Sequence, residues 1–247
     1  MKDYPTSGIR EIVKTLLLIS IGLVVLSFFL KDRLPPADEI LDSLRSEPVQ
    51  ERAELPPPFE VVRKGATYTV APLYNYDLFG MVVSYHNSDS FVDISHKRWK
   101  DYLNVKDLCV IWGKNVESDV YLRMKFSSRD FTCYYTYPDE ETLRLFRESC
   151  LSNNHLLSAD PSLIRSIMKA RRGDQIHLRG YLAMYDQKQT GFHRGTSISR
   201  HDRGNGACET VYVTDFAVLK RANPRWRAVF NISLLSSVAG IIFLLFF

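Results

Sequence analysis

The sequence has too few cysteines, too widely scattered, to be held together as a disulfide scaffold: four in 247 residues, at Cys109, Cys133, Cys150 and Cys208. None forms a CxxC, which argues against a zinc ribbon. There is no internal repeat. There is also no strong charge of one sign, and a net charge of +4 gives no reason to expect nucleic acid as a partner. What the chain does have is a long hydrophobic run at each end and a middle rich in tyrosine and phenylalanine, residues that favour strands.

The first run, Thr15 to Leu30, carries no charge and no proline. As a helix it spans about 24 Å, and Ile12 and Val13 lengthen it toward a bilayer core of about 30 Å. Lys14 and Lys31 bracket it and can extend their ammonium groups to the headgroups. Lys31-Asp32-Arg33-Leu34-Pro35 follows and contains no small-x-small cleavage site, so an uncleaved anchor is expected rather than a signal peptide. The second run, Ala228 to Phe247, has the length of the core itself. Ser233, Ser236, Ser237 and Gly240 form a stripe of small residues on which another helix can approach closely. The bilayer is thus one expected partner, and a protein partner or a second copy docking on that stripe is another.

The flanking charges disagree about orientation. Lys2, Arg10 and Lys14 precede the first run and favour a cytoplasmic N-terminus, whereas Lys220, Arg221, Arg225 and Arg227 crowd the near side of the second. The first helix usually dominates. The expectation is therefore a two-pass inner-membrane protein with its central domain in the periplasm, a cytoplasmic domain being the alternative.

The chain divides into a tail (1–11), a first span (12–30), a proline-rich linker (31–58), a β-rich domain (59–222), a basic interfacial segment (223–227) and a second span (228–247). Pro35-Pro36 and Pro56-Pro57-Pro58 mark the linker as a stiff spacer. In the domain, Val120 to Phe126 alternates and, after a turn at Ser127 to Asp130, Phe131, Cys133 and Tyr135 resume the alternation. This predicts a β-hairpin. Leu78–Tyr85, Leu108–Trp112, Gln175–Tyr185 and Glu209–Leu219 predict further strands, with Gly180 marking a bend or bulge. Two helices are expected, over Pro138–Cys150 and after the Asp160 N-cap with Pro161 in the first turn. The fold class is α+β, mainly β: a small OB-like barrel or curled antiparallel sheet with two short helices, flanked by two transmembrane helices.

Chemistry-bearing residues are densest from Gly191 to Glu209. His193, Arg194, Arg200, His201, Asp202, Asn205 and Glu209, with Arg179 from a predicted strand, make the candidate ligand site. Arginines there suit a phosphate or carboxylate, and glycines let backbone N–H groups approach it. The plainer reading is a solvated turn over Asp202 to Gly206. A thiol nucleophile at Cys208 would need a histidine beside it, and His201 and Asp202 supply the residue types. The spacing of His193, His201, Asp202 and Cys208 fits no metal-ligand pattern, so neither metal nor cofactor is expected. His155 reads as structural, and His96-Lys97-Arg98-Trp99-Lys100 as surface. Cys109 and Cys133 fall in predicted strands and would form a disulfide if those strands are neighbours in an oxidising compartment.

The stretches LFGMVVSYHNSDSF (78–91), LSNNHLL (151–157), GDQIHLRGYL (173–182) and GNGACETVYV (204–213) resemble those of bacterial two-transmembrane envelope proteins. The resemblance spans most of the central domain. It implies an envelope protein and carries over no activity. Three functions follow as expectations: a membrane-anchored, non-enzymatic binding or assembly module; a membrane effector whose barrel senses an anionic small molecule; and a membrane-tethered hydrolase.

Overall fold

The computed structural model describes residues 6–91, 93–202 and 207–246, in two compact units: the two terminal helices, and residues 34–221. In the first unit, α1 (Thr6–Leu30) and α6 (Pro224–Phe246) pack against each other. Both are long and apolar enough to cross a membrane. Pro224 occupies the first helical position, where its missing N–H costs nothing. Ser27 Oγ donates to the Leu23 carbonyl and Ser237 Oγ to the Ser233 carbonyl, so these hydroxyls need no partner from an apolar surround. Ser233 and Ser237 are buried, Gly240 faces Leu17 of α1, and Ser236 is exposed. Gly240 thus already serves contact with the chain's own first helix. Pro224, Arg225, Trp226 and Arg227, expected as an interfacial segment, are helical.

The second unit is built on a mixed eight-stranded sheet. It comprises β1 (Val49–Glu51), β2 (Phe59–Arg63), β3 (Ala66–Asn87), β4 (Asn104–Ile111), β7 (Leu151–Leu157), β8 (Gln175–Gln187), β9 (Phe192–Arg194) and β10 (Glu209–Lys220). β3 pairs with β4, β4 with β7, β7 with β10, β10 with β8, and β8 again with β3. All of these pairs are antiparallel except β7–β10, which is parallel. The sheet is therefore mixed, which corrects the curled antiparallel sheet, one of the two expected forms. A separate hairpin joins β5 (Lys125–Arg129) to β6 (Thr132–Thr136). Short helices α2 (Ser95–Trp99), α3 (Lys114–Glu117), α4 (Glu140–Leu145) and α5 (Pro161–Lys169) fill the connections. With the terminal helices added, helix and strand are about equally represented, so "mainly β" is corrected to α+β.

Leu78, Val82, Leu108, Val110, Leu156, Ile176, Leu178, Leu182, Val211 and Val213 form the main core, every one at most 1% exposed. Gly180 is required by contact: a Cβ there would lie 2.1 Å from the Tyr212 carbonyl oxygen, beside a register shift in β10. Asp160 caps α5 by accepting from the Ser162 N–H at 2.6 Å.

Other expectations are corrected. Residues 34–58 are not a spacer. Leu44 is fully buried, β1 pairs with β3, and the Tyr121 hydroxyl donates to the Pro35 carbonyl at 2.8 Å. Val120–Arg123 is a 3-10 turn rather than a strand, entered through Asp119 at φ 55°. It buries both Val120 and Tyr121, which an alternating strand would place on opposite faces. The hairpin begins only at Lys125 and turns through Asp130 and Phe131. The helix expected over Pro138–Cys150 is reduced to α4 and a 3-10 turn at Glu148–Cys150. The segment directly after it, Asn153 and Asn154 included, is β7. Cys109 and Cys133 are joined by a disulfide, with Cα atoms 5.8 Å apart.

Candidate functional site

The site grows from the ladder between β4 and β7, whose register sets Asp107 opposite His155. Both side chains are buried. His155 Nδ1 donates to Asp107 Oδ1 at 2.7 Å, Asn104 Nδ2 donates to the same oxygen at 2.8 Å, and the Phe131 N–H donates to Oδ2 at 3.1 Å. Burial alone would raise the Asp107 carboxyl, but attraction to His155 and these donors bring it down to about 2. Burial alone would lower His155, but Asp107 and a hydrogen bond with Cys208 push it up to about 9. At neutral pH both ring nitrogens of His155 therefore carry protons.

Arg194 Nη1 lies 3.0 Å from His155 Nε2. With His155 charged, both nitrogens are donors, and the Cys208 sulfur is the acceptor beside the imidazole. Arg194 is held by stacking on Phe131, its guanidinium carbon 4.0 Å from the ring centre. Its Nε is buried and has no partner among the described residues. His155 and Arg194 line a cleft of about 540 Å³ together with Trp99, Phe131, Phe192 and Cys208.

A larger cleft, of about 1120 Å³, shares Phe131, Arg194 and Cys208 and extends to Arg200, His201, Asp202 and Glu209. Arg200 Nη1 donates to Glu209 Oε1 at 2.9 Å, while Arg200 Nη2 and Glu209 Oε2 are buried without partners among the described residues. Burial raises Glu209 to about 7 against the opposing pull of Arg200.

The structure thus gathers Arg194, Arg200, His201, Asp202 and Glu209 on one cleft and places His193 at the mouth of its neighbour, where it pairs with Asp186 on the surface. Arg179 is not part of either. It bonds Asp77 on the exposed side of the β3–β8 ladder. Asn205 lies outside the described residues. Asp202 accepts from Ser197 Oγ at 2.8 Å, so it braces the loop. Cys208 lies beside His155, not His201, and Asn153 Nδ2 donates to its sulfur at 3.5 Å.

Sequence reasoning missed His155, Asp107 and the histidines behind them. His96, read as surface, is 1% exposed. His86, Asp93 and His96 each bring one ligand-type atom within 4.8 Å of the others, and Asn104 Nδ2 links this group to Asp107 through His96 Nε2, 2.9 Å away. Beyond the group, Tyr185 donates to Asp101 at 2.7 Å, and burial raises both of these acids. The available signal was a cluster of polar residues within each of Asn104–Asp107 and Asn153–His155, which a solvated loop also shows.

The chain matches no family model, no curated protein and no solved structure.

Proposed function

We propose that this is a membrane-anchored, non-enzymatic binding module of the bacterial envelope, whose cleft takes a small anionic molecule. The observation that carries the reading is Arg194, whose Nη1 lies 3.0 Å from His155 Nε2 and whose buried Nε has no partner among the described residues. A phosphate or carboxylate oxygen beside Arg194 and the charged His155 accepts charge-assisted bonds from both. The unpartnered Arg200 Nη2 adds a third donor in the adjoining cleft. Trp99, Phe131 and Phe192 offer apolar contact for a flat substituent.

The position of the cleft supports the reading. We read the ring of pairings through β3, β4, β7, β10 and β8, with one parallel pair and α5 between β7 and β8, as OB-like. OB-folds take ligands on their second and third strands and on the loops joining strands one to two and four to five. Those elements here are β4, β7, the loop with α2, and the segment from Lys188 to Cys208. The Cys109–Cys133 disulfide favours an oxidising compartment, so we place the domain in the periplasm, with α1 and α6 in the inner membrane.

The test is calorimetric titration of full-length protein in detergent with phenyl phosphate. Arg194→Ala and Arg200→Ala should each weaken binding about tenfold or more, the loss of one charge-assisted bond, and Cys208→Ser should leave it unchanged. Failure of the wild type to bind phenyl phosphate, inorganic phosphate and benzoate alike refutes the reading.

A second reading rests on Cys208 beside the His155–Asp107 pair, the residue types and order of a thiol hydrolase. It requires turnover of a p-nitrophenyl ester that Cys208→Ser abolishes while phenyl phosphate still binds.

A further inference from the structure

We propose that His86, Asp93, His96 and Asp130 form a binding site for a first-row divalent cation, zinc by preference, beside the cleft and independent of its ligand. His86 is the last residue but one of β3, Asp93 precedes α2, His96 lies in its first turn, and Asp130 sits in the β5–β6 turn. Three of the four ligands thus come from an eleven-residue stretch, and the fourth comes from a hairpin folded onto it.

The geometry is that of a shell drawn around one point. Asp93 Oδ2 is 2.7 Å from His86 Nε2 and 2.5 Å from His96 Nδ1, and Asp130 Oδ1 is 3.3 Å from the same His86 nitrogen. Tetrahedral coordination at zinc bond lengths separates N and O ligands by about 3.3 Å. Seating an ion therefore opens the two Asp93 contacts by less than an ångström, within the reach of side-chain rotation.

Three of the four ligands are already oriented by a second contact, as metal ligands are. Asp93 Oδ1 accepts the His96 N–H at 2.9 Å, and Asp130 Oδ2 accepts from Ser95 Oγ at 2.7 Å. His96 Nε2 meets Asn104. Asn104 Nδ2, which also donates to Asp107 Oδ1, thus fixes the plane of the His96 ring.

Charge argues the same way. Asp93 is fully buried and Asp130 partly so. Neither pairs with a lysine or arginine among the described residues, their only basic neighbours being the two histidines. Two carboxylates with two neutral imidazoles carry a charge of −2, which one divalent ion cancels. A hydrogen-bond hub would account for Asp93 and its histidines. It gives no reason for Asp130 to converge on the same nitrogen. Nitrogen and carboxylate donors, with no thiolate, favour zinc or its neighbours over calcium or copper(I). Asp130, 31% exposed, and His86, 11% exposed, give the ion an entry path.

The experiment is metal titration of full-length protein in detergent after chelator treatment. Zinc should bind at one ion per chain, and cobalt should give the visible d–d bands of a tetrahedral site. Ser95→Ala, which touches only the outer contact, should weaken zinc about tenfold. Asp130→Asn, at the exposed edge where folding is not at stake, should weaken it further. His193→Ala should change nothing. Wild-type protein that takes up no zinc at micromolar concentration overturns the proposal, as does zinc binding that survives both His86→Ala and Asp130→Asn unchanged. With phenyl phosphate titrated into chelator-treated protein as well, the anion site and the metal site can fail separately.

Discussion

His155 Nδ1 donates to Asp107 Oδ1 at 2.7 Å between two side chains that are register partners on neighbouring strands. His155 is held up at about 9 and Asp107 down at about 2, so the pair contributes stability over a defined window. The share from His155 is fully present below its unfolded value near 6.5 and is lost as pH rises through about 9. The share from Asp107 is fully present above its unfolded value near 3.9 and is lost as pH falls through about 2. Thermal unfolding should therefore show the pair's full effect between about pH 4 and pH 6.5. Asp107→Asn should cost about 3–5 kcal/mol there, because it leaves a buried imidazolium unpaired. A melting temperature equal to wild type would contradict this.

Leu44 is fully buried beside Ile111 and Val116 in the second core. Leu44→Ala should destabilise the domain by about 2–5 kcal/mol. A free spacer would lose nothing, so an unchanged denaturation midpoint would return residues 34–58 to the linker.

The Cys109–Cys133 bond closes a loop with a sequence separation of 24. Loop-closure entropy puts its contribution at about 3 kcal/mol. Non-reducing mass spectrometry should find Cys150 and Cys208 as the free thiols, and reduction should lower the melting temperature. Four alkylated cysteines in protein isolated from its native membrane would refute both the bond and the periplasmic placement.

Gly180→Ala puts a methyl group against the Tyr212 carbonyl, a clash with backbone that no rotamer relieves. The expected cost is about 1–3 kcal/mol or more, read as a loss of folded protein. Gly191→Ala, which has open space but a φ of 68°, should cost about 1 kcal/mol. Equal effects at the two sites would argue against the β8–β10 contact.

What could be read from the sequence was what neighbours along the chain decide. Asp160-Pro161 announces α5 because a cap and a first-turn proline act within four residues. The terminal helices announce themselves by unbroken apolarity. The strands of β4, β8 and β10 were visible in their patterns, but β3 was seen only in part, since its 22 residues change partners midway. Asp107 and His155 lie 48 positions apart and meet only through strand register, which no local pattern encodes. The same holds for Arg194 on His155 and Cys208 beside it. Val120–Arg123 misled because alternation is also compatible with a tight turn whose residues pack into a core. Arg179 misled because a strand arginine's facing depends on which side of the sheet is covered.

The central claim is that a protonated His155 and Arg194 together hold an anion. The most direct test is the affinity of full-length protein for phenyl phosphate, measured from about pH 7.5 to about pH 10, where the phosphate stays doubly charged and arginine keeps its proton. Affinity should hold steady and then fall about tenfold per pH unit above a midpoint near 9, and His155→Gln should flatten the profile. A wild-type affinity that does not change across that range would contradict the account.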